Sequence, residues 1–247
     1  MQLRFHGDLD YFLKRAAGER EVRRELSEPT SVKDIIESCG VPHPEVDRIL
    51  VEGAAVDFHH VLRTDSRVDV YPVGTVDLPG EPLQHPHVDR FIADGHLGKL
   101  TRNLRLLGID VAYDNQMHDP QLLEFMQSDR RALLTRDRRL LMHRVVIDSY
   151  CPRSSEPMTQ TVEVVRRFHL SGDLKPFTRC LHCNGLLQQV DKAAVIDQLE
   201  PLTRIYYEEF RSCTVCRRIF WRGSHFSKLE GFLERFRNAL EGVTGTT

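Results

Sequence analysis

Four of the six cysteines fall into two C-x-x-C pairs, Cys180-Leu-His-Cys183 and Cys213-Thr-Val-Cys216. A turn of this kind aims two thiolates at one point. Two such turns supply four soft ligands for a tetrahedral Zn²⁺ ion. Four protein ligands close the coordination sphere, so the expected role of the ion is structural. The same spacing also reads as redox pairs or buried thiols. Six cysteines in 247 residues do not make a disulfide framework, however, and two pairs in a reducing compartment favour metal. Residues 184–212, between the pairs, are long enough for the hairpin arm of a zinc ribbon. His182 and His225 lie close in sequence, but a four-cysteine set needs neither.

A second set of residues is acidic. Asp94 ends the apolar run Phe91-Ile-Ala, Asp137 follows Leu133-Leu-Thr-Arg, and Asp119 precedes Pro120. Clustered carboxylates repel and need a cation, and hard oxygen ligands suit Mg²⁺ or Mn²⁺. A divalent ion held there would activate water and neutralise charge developing on a phosphodiester. Each aspartate also has an ordinary reading. Asp119 before Pro120 suits a helix N-cap, Asp137 suits a cap for the helix after it, and Asp94 suits a turn.

Basic residues surround these acids. Lys99, Arg102 and Arg105 share the non-leucine side of one expected helix. Arg130, Arg131, Arg136, Arg138, Arg139 and Arg144 surround Leu133-Leu-Thr135. Phosphate backbones need such a patch; a solvated face paired with Asp110, Glu124 or Asp129 is the alternative. Arg211, Arg217, Arg218 and Arg222 accompany Phe220 and Trp221 near the second cysteine pair. Aromatics among arginines stack on unpaired bases, or else pack around the zinc.

These residues must be positioned by regular elements. Residues 1–75 read as a small α+β unit. Gln2–Phe5 alternates like a strand, Ser31 caps a helix with Asp34 three residues on, Val32, Ile35, Ile36 and Cys39 share one face, and Gly40 ends it. Ile49–Val51 and Val68–Tyr71 read as strands, which together suggests a β-grasp layout. Residues 76–89 hold Pro79, Gly80, Pro82 and Pro86, the composition of a linker. His85 and His87 within it read as solvated residues in preference to metal ligands. Residues 90–175 alternate strand and helix: strands at Arg90–Asp94, Ile109–Ala112, Ala132–Thr135 and Arg144–Ile147, a leucine stripe at 97, 100, 104 and 107 stopped by Gly108, and a helix opened by Asp119-Pro120. Residues 159–170 read as a further helix. The alternation argues for a parallel α/β sheet, whose ligands bind beyond the carboxyl ends of the strands. Residues 176–241 carry the cysteine pairs and a last helix with Phe226, Leu229, Leu233, Phe236 and Leu240 along one side. Gly242 to Thr247 is expected to be a frayed tail.

The sequence resembles the Mut7-C family. The resemblance is carried by Phe91-Ile-Ala-Asp-Gly-His-Leu-Gly-Lys-Leu-Thr-Arg-Asn-Leu-Arg-Leu-Leu-Gly108, Leu133-Leu-Thr-Arg-Asp137, Thr178-Arg-Cys-Leu-His-Cys-Asn184, and Cys213 to Trp221 with Gly223-Ser-His225. It implies a PIN-like ribonuclease domain, a parallel α/β sheet, with a C-terminal zinc ribbon. Asp94, Asp119 and Asp137 would then hold Mg²⁺ or Mn²⁺, and single-stranded RNA would be hydrolysed by a metal-activated water. Residues 1–75, especially Gly40-Val-Pro-His-Pro-Glu-Val-Asp47 and Val70-Tyr-Pro-Val73, are similar to the ubiquitin-like domain fused ahead of it. Two positions depart from the pattern. A fuller PIN site has a fourth acid, yet Arg139 stands two residues after Asp137, with Asp148 a candidate substitute. Asn103 stands where an aromatic residue is expected. The ubiquitin-like part also looks like a sulfur carrier, but Val73-Gly-Thr75 runs on into further chain and provides no free Gly-Gly terminus.

Hydrophobic residues at 40% and charged residues at 28% suit a packed core, and a net charge of −2 confines any basic surface to local patches. The longest apolar runs are too short to span a bilayer and the first residues lack a signal-peptide core, so a cytoplasmic protein without a membrane partner is expected. The leading expectation is a metal-dependent ribonuclease, with Lys99, Arg102 and Arg136 on substrate phosphates. A non-catalytic RNA- or ribosome-binding protein is the alternative, and an adaptor that binds a protein through its ubiquitin-like part is the third.

Overall fold

A computed structural model describes residues 1–13, 19–85, 87–224 and 226–242. His225, Pro86 and all of the expected frayed tail beyond Gly242 lie outside the described residues.

β1 (Gln2–Phe5) alternates as expected, with Leu3 and Phe5 fully buried. It is followed by β2 (Glu21–Arg23) and β3 (Thr30–Ser31). α1 (Val32–Ser38) starts where Ser31 Oγ accepts from the Asp34 N–H at 3.1 Å, while the Ser31 hydroxyl donates to the Asp34 carboxylate at 2.7 Å. Val32, Ile35, Ile36 and Cys39 are all buried on its inner face. Gly40 ends the helix at φ +100°, a conformation that a Cβ would strain. Next come β4 (Val46–Val51), β5 (Ala54–Val56), β6 (Val61–Leu62) and β7 (Arg67–Pro72).

The middle of the chain holds β8 (Arg90–Ala93), α2 (Gly98–Leu106), β9 (Asp110–Tyr113), α3 (Asp119–Ser128), β10 (Ala132–Leu134), α4 (Arg138–Leu141) and β11 (Ser149–Tyr150). The strand expected at Arg144–Ile147 is not formed. The Val146 N–H bonds to the His143 carbonyl at 2.9 Å in a turn, and the Val146 carbonyl accepts from His43 Nε2 at 2.8 Å. With these backbone groups taken, pairing with β10 starts later, at Leu133↔Ser149. α5 (Pro157–Arg167) follows, then β12 (Leu187–Val190), α6 (Lys192–Val195), α7 (Pro201–Tyr206), β13 (Phe210–Cys213), β14 (Ile219–Trp221) and α8 (Phe226–Glu241).

These elements divide into two compact units. The first comprises Met1–Val88, Met117–Arg153 and Arg167–His169; the second comprises Asp89–Gln116, Ser154–Arg166 and the chain from Leu170 on. In the first, a five-stranded sheet has the order β2-β1-β7-β4-β5. β1 and β7 pair parallel at its centre, and the other neighbours are antiparallel. α1 packs on this sheet through a core of Leu3, Phe5, Ile36, Val46, Val68 and Val70, which Leu141 and Cys151 join from later in the chain. The proline-rich stretch is pinned to the same unit. Leu83 N–H bonds to the Asp47 carbonyl at 2.9 Å, and the buried Gln84 side chain donates to the carbonyls of His43 and Val46 at 3.1 and 2.8 Å. Parallel β10 and β11 belong to this unit as well.

In the second unit, β8 and β9 pair parallel from Arg90↔Asp110 to Ala93↔Tyr113, which carries Asp94 just past the strand end. The buried Leu100 and Leu104 and the fully buried Val164 and Val165 give α2 and α5 their inward sides. Asn103 Nδ2 donates to the Pro157 carbonyl and to Thr161 Oγ1, so the departure at this position is a polar contact between the two helices. Arg166 donates to the Ala239 and Leu240 carbonyls at 3.2 and 2.6 Å, satisfying the open end of α8.

Candidate metal centre and the acidic residues

Both cysteine turns close in the same way. The Asn184 N–H bonds to the Cys180 carbonyl at 3.0 Å, and the Arg217 N–H bonds to the Cys213 carbonyl at 3.1 Å. Asn184 and Arg217, each following the second cysteine of its pair, adopt φ +71° and +61°. A left-handed residue at that point turns the chain back so that both sulfurs face inward. The four Sγ atoms lie within 4.8 Å of one another. Cys180 and Cys216 sulfurs are 3.7 Å apart and those of Cys183 and Cys213 are 3.3 Å apart. Tetrahedral zinc with Zn–S bonds of ~2.3 Å would space its sulfurs by about 3.8 Å, so these two pairs lie within about 0.5 Å of the spacing that the ion needs. Cys180 and Cys213 are fully buried. Burial pushes the Cys180 thiol up to about 12, and a bound cation would reverse this by ligating the thiolate.

The surroundings of the cluster were only partly legible in the sequence. Gly185 lets the second turn approach the first: a Cβ there would lie 2.8 Å from Cys213 Sγ. Arg105, expected among the phosphate-binding residues of α2, is buried and does something else. Its guanidinium donates to the Val111 carbonyl at 2.8 Å and to the His182 carbonyl at 2.7 Å. This corrects the expectation: helical spacing put Arg105 on the polar side of α2, and the first cysteine turn covers that side. Burial lowers its pKa while the Cys183 and Cys180 sulfurs oppose the shift. Asn184 spans the same join, donating to Asp110 Oδ1 at 2.8 Å and accepting from the Val111 N–H at 3.2 Å. An Asn-Gly pair directly after a C-x-x-C was the available signal, because Asn tolerates positive φ and Gly leaves room for the facing sulfur.

The segment between the cysteine pairs is not a plain hairpin arm. β12 and β13 pair antiparallel, from Leu187↔Cys213 to Val190↔Phe210, but α6 and α7 are inserted between them. β14 adds a third strand, with Arg211↔Phe220 and Phe210↔Trp221. Val195 and Leu199 of the insertion bury Phe210 in a small core of their own.

Of the aspartates, Asp94 belongs to the second unit and Asp119 and Asp137 to the first. Asp94 is half-buried and caps a short 3-10 turn, accepting from the His96 N–H at 3.4 Å. Asp137 is exposed and caps α4, its Oδ1 accepting from the Arg139 and Leu140 N–H groups at 2.8 and 3.3 Å. Asp119 is exposed and does not cap α3. His118 is the N-cap, its N–H donating to Gln121 Oε1 at 3.1 Å, which leaves Asp119 as the first helical residue and Pro120 as the second. Asp148 is hydrogen-bonded to His85 Nδ1 at 2.7 Å.

Lys99, Arg102 and Arg136 are exposed. Two of the arginines around β10 are structural instead. Arg131 is buried against Asp129, and Arg138 donates to the Tyr11 and Phe12 carbonyls while lying over both rings. Among the described residues, no helix is long and apolar enough to cross a membrane.

A family model described as the Mut7-C RNAse domain matches residues 89–233, and one described as Mut7-C ubiquitin matches residues 1–76. Neither the curated proteins nor the solved structures provide a match. The first match covers more than half of the chain, and it takes in Asp94, Asp119, Asp137 and all four clustered cysteines; the chain belongs to the Mut7-C RNAse family and carries the Mut7-C ubiquitin domain ahead of it.

Proposed function

We propose that this protein is a ribonuclease that hydrolyses RNA phosphodiester bonds with a water activated by Mg²⁺ or Mn²⁺. The carrying observation is the match of residues 89–233 to an RNAse domain. Asp94, Asp119 and Asp137 are its metal ligands. Their chemistry suits the ion: all three offer carboxylate oxygens, Asp94 stands just beyond a strand end, and the cap made by Asp137 uses Oδ1 and not Oδ2. When bound, the ion supplies a nucleophilic water and neutralises charge on the phosphate. The chain's own part is to hold substrate. Lys99, Arg102 and Arg136, all exposed, bind backbone phosphates of single-stranded RNA. The four cysteines hold a structural Zn²⁺ in a zinc-ribbon-like module, the ubiquitin-like β-grasp unit docks a protein partner, and the catalytic part has a PIN-like sheet.

Metal-depleted protein, assayed on single-stranded RNA with Mg²⁺ or Mn²⁺ restored, is expected to cleave; Asp94→Asn is expected to lower the rate by at least about 100-fold. Cleavage that survives Asp94→Asn unchanged would reject the site. The alternative is a non-catalytic RNA- or ribosome-binding protein, favoured by Arg139 standing where a fourth acid is expected; binding without cleavage would select it.

A further inference from the structure

A cleft of about 250 Å³ opens in the second unit, on one face of the three-stranded sheet. Strand register decides what lines it. Gln189, Arg211 and Phe220 lie side by side across β12, β13 and β14 and share that face. Phe177 and Phe226 also line it, their rings stacked at 4.7 Å, and Arg222 lies with its guanidinium carbon 5.2 Å from the Phe226 centroid. Arg211 is oriented by donation to the Phe177 carbonyl at 2.9 Å. Both Arg211 and Arg222 remain exposed at the rim, and Glu209 is the one acid among the lining residues. Arg179 also lines the cleft but is neutralised by Asp110 at 3.2 Å.

We propose that this cleft is a binding site for one unpaired nucleotide of single-stranded RNA. The base inserts against Phe220, Phe177 and Phe226, and Arg211 and Arg222 take the flanking phosphates. The volume is below the roughly 300–1,000 Å³ of ordinary small-molecule pockets, which suits one planar ring delivered by a chain that stays outside. Aromatic walls accept any base through its π-face, and a cationic rim matches a polyanion, whereas a duplex hides its bases from such a cleft. The zinc module is thereby a gripping site for RNA, separate from the aspartates that act on it. The proposal rests on the reading of the chain as one that acts on RNA.

Trp221, the single tryptophan of the chain, borders the cleft between Phe220 and Arg222, and its fluorescence is the readout of occupancy. The full-length, zinc-loaded protein is titrated with a fluorescein-labelled ten-nucleotide oligouridylate, with no Mg²⁺ or Mn²⁺ added. Saturable quenching of Trp221 is expected with the single strand but not with a duplex of equal length or with inorganic polyphosphate. Arg222→Gln and Arg211→Gln are expected to weaken binding about five- to tenfold each while retaining zinc, and each is expected to reduce the slope of log affinity against log salt by about 0.7. Unresponsive Trp221 fluorescence, equal quenching by duplex or polyphosphate, or an unchanged salt slope in both variants overturns the proposal. The two readings fail separately. Quenching and slope changes without any cleavage leave the cleft standing, and cleavage without either removes the cleft alone.

Discussion

The guanidinium of Arg105 donates to the carbonyl oxygen of His182 at 2.7 Å, and so fastens α2 to the first cysteine turn. The same group holds the Val111 carbonyl on β9. A helix, a strand and the first turn of the cysteine cluster are therefore fixed by one buried cation. Arg105→Leu strips these carbonyls of their donor and is expected to destabilise the zinc-loaded protein by on the order of 2–4 kcal/mol. Thermal unfolding should show the loss, and zinc should pass faster to a competing chelator. A wild-type chelation rate in the variant would remove Arg105 from the metal centre.

Zinc binding should depend on the absence of a side chain at residue 185. A Cβ there would press on Cys213 Sγ at 2.8 Å and on Val215. Gly185→Ala is expected to cost about 1–3 kcal/mol through the forced shift of the second turn. Metal analysis should find about one zinc per wild-type chain and less in Gly185→Ala after mild chelation. Equal retention in both proteins would show that the turn yields freely.

Asp137 combines a cap with a proposed metal ligand, and substitutions separate the two. Asp137→Asn keeps an oxygen for the Arg139 and Leu140 N–H groups, whereas Asp137→Ala does not. The alanine variant should lose about 1 kcal/mol of stability and the asparagine variant little. Both should lose at least about 100-fold in RNA cleavage, because neither retains the carboxylate charge. If Asp137→Asn cleaves normally, Asp137 is a cap and no more.

Cys151 gives a pH signature. Burial, reinforced by the Glu45 carboxylate, raises its thiol from 9.0 to about 11. The unfolded chain therefore releases this proton first as the pH rises. The folded state binds more protons than the unfolded state between about pH 9 and 11, so stability falls across that window, by about 2–3 kcal/mol in total. Below pH 9 the group contributes no slope. Denaturant titrations of wild type and Cys151→Ala from pH 8 to 11 should converge at high pH; parallel curves would be the contrary result.

The sequence by itself determined the local devices. The Ser31 and Asp34 cap, the stop at Gly40, the leucine stripe of α2 ending at Gly108 and the two C-x-x-C turns each depend on residues a few positions apart, whose spacing is written in the chain. Tertiary structure decided what could not be local. Pairing with Leu133 placed the strand after β10 at Ser149–Tyr150 instead of the more apolar Arg144–Ile147. His118, held by Gln121, took the cap expected of Asp119. The carbonyls of the first cysteine turn claimed the buried Arg105, and ring contacts with Tyr11 and Phe12 claimed Arg138. An arginine on the polar side of a helix looks the same in sequence whether water or a distant carbonyl receives it. Which one does depends on what the remote chain covers, because a buried polar group must find its partner across space.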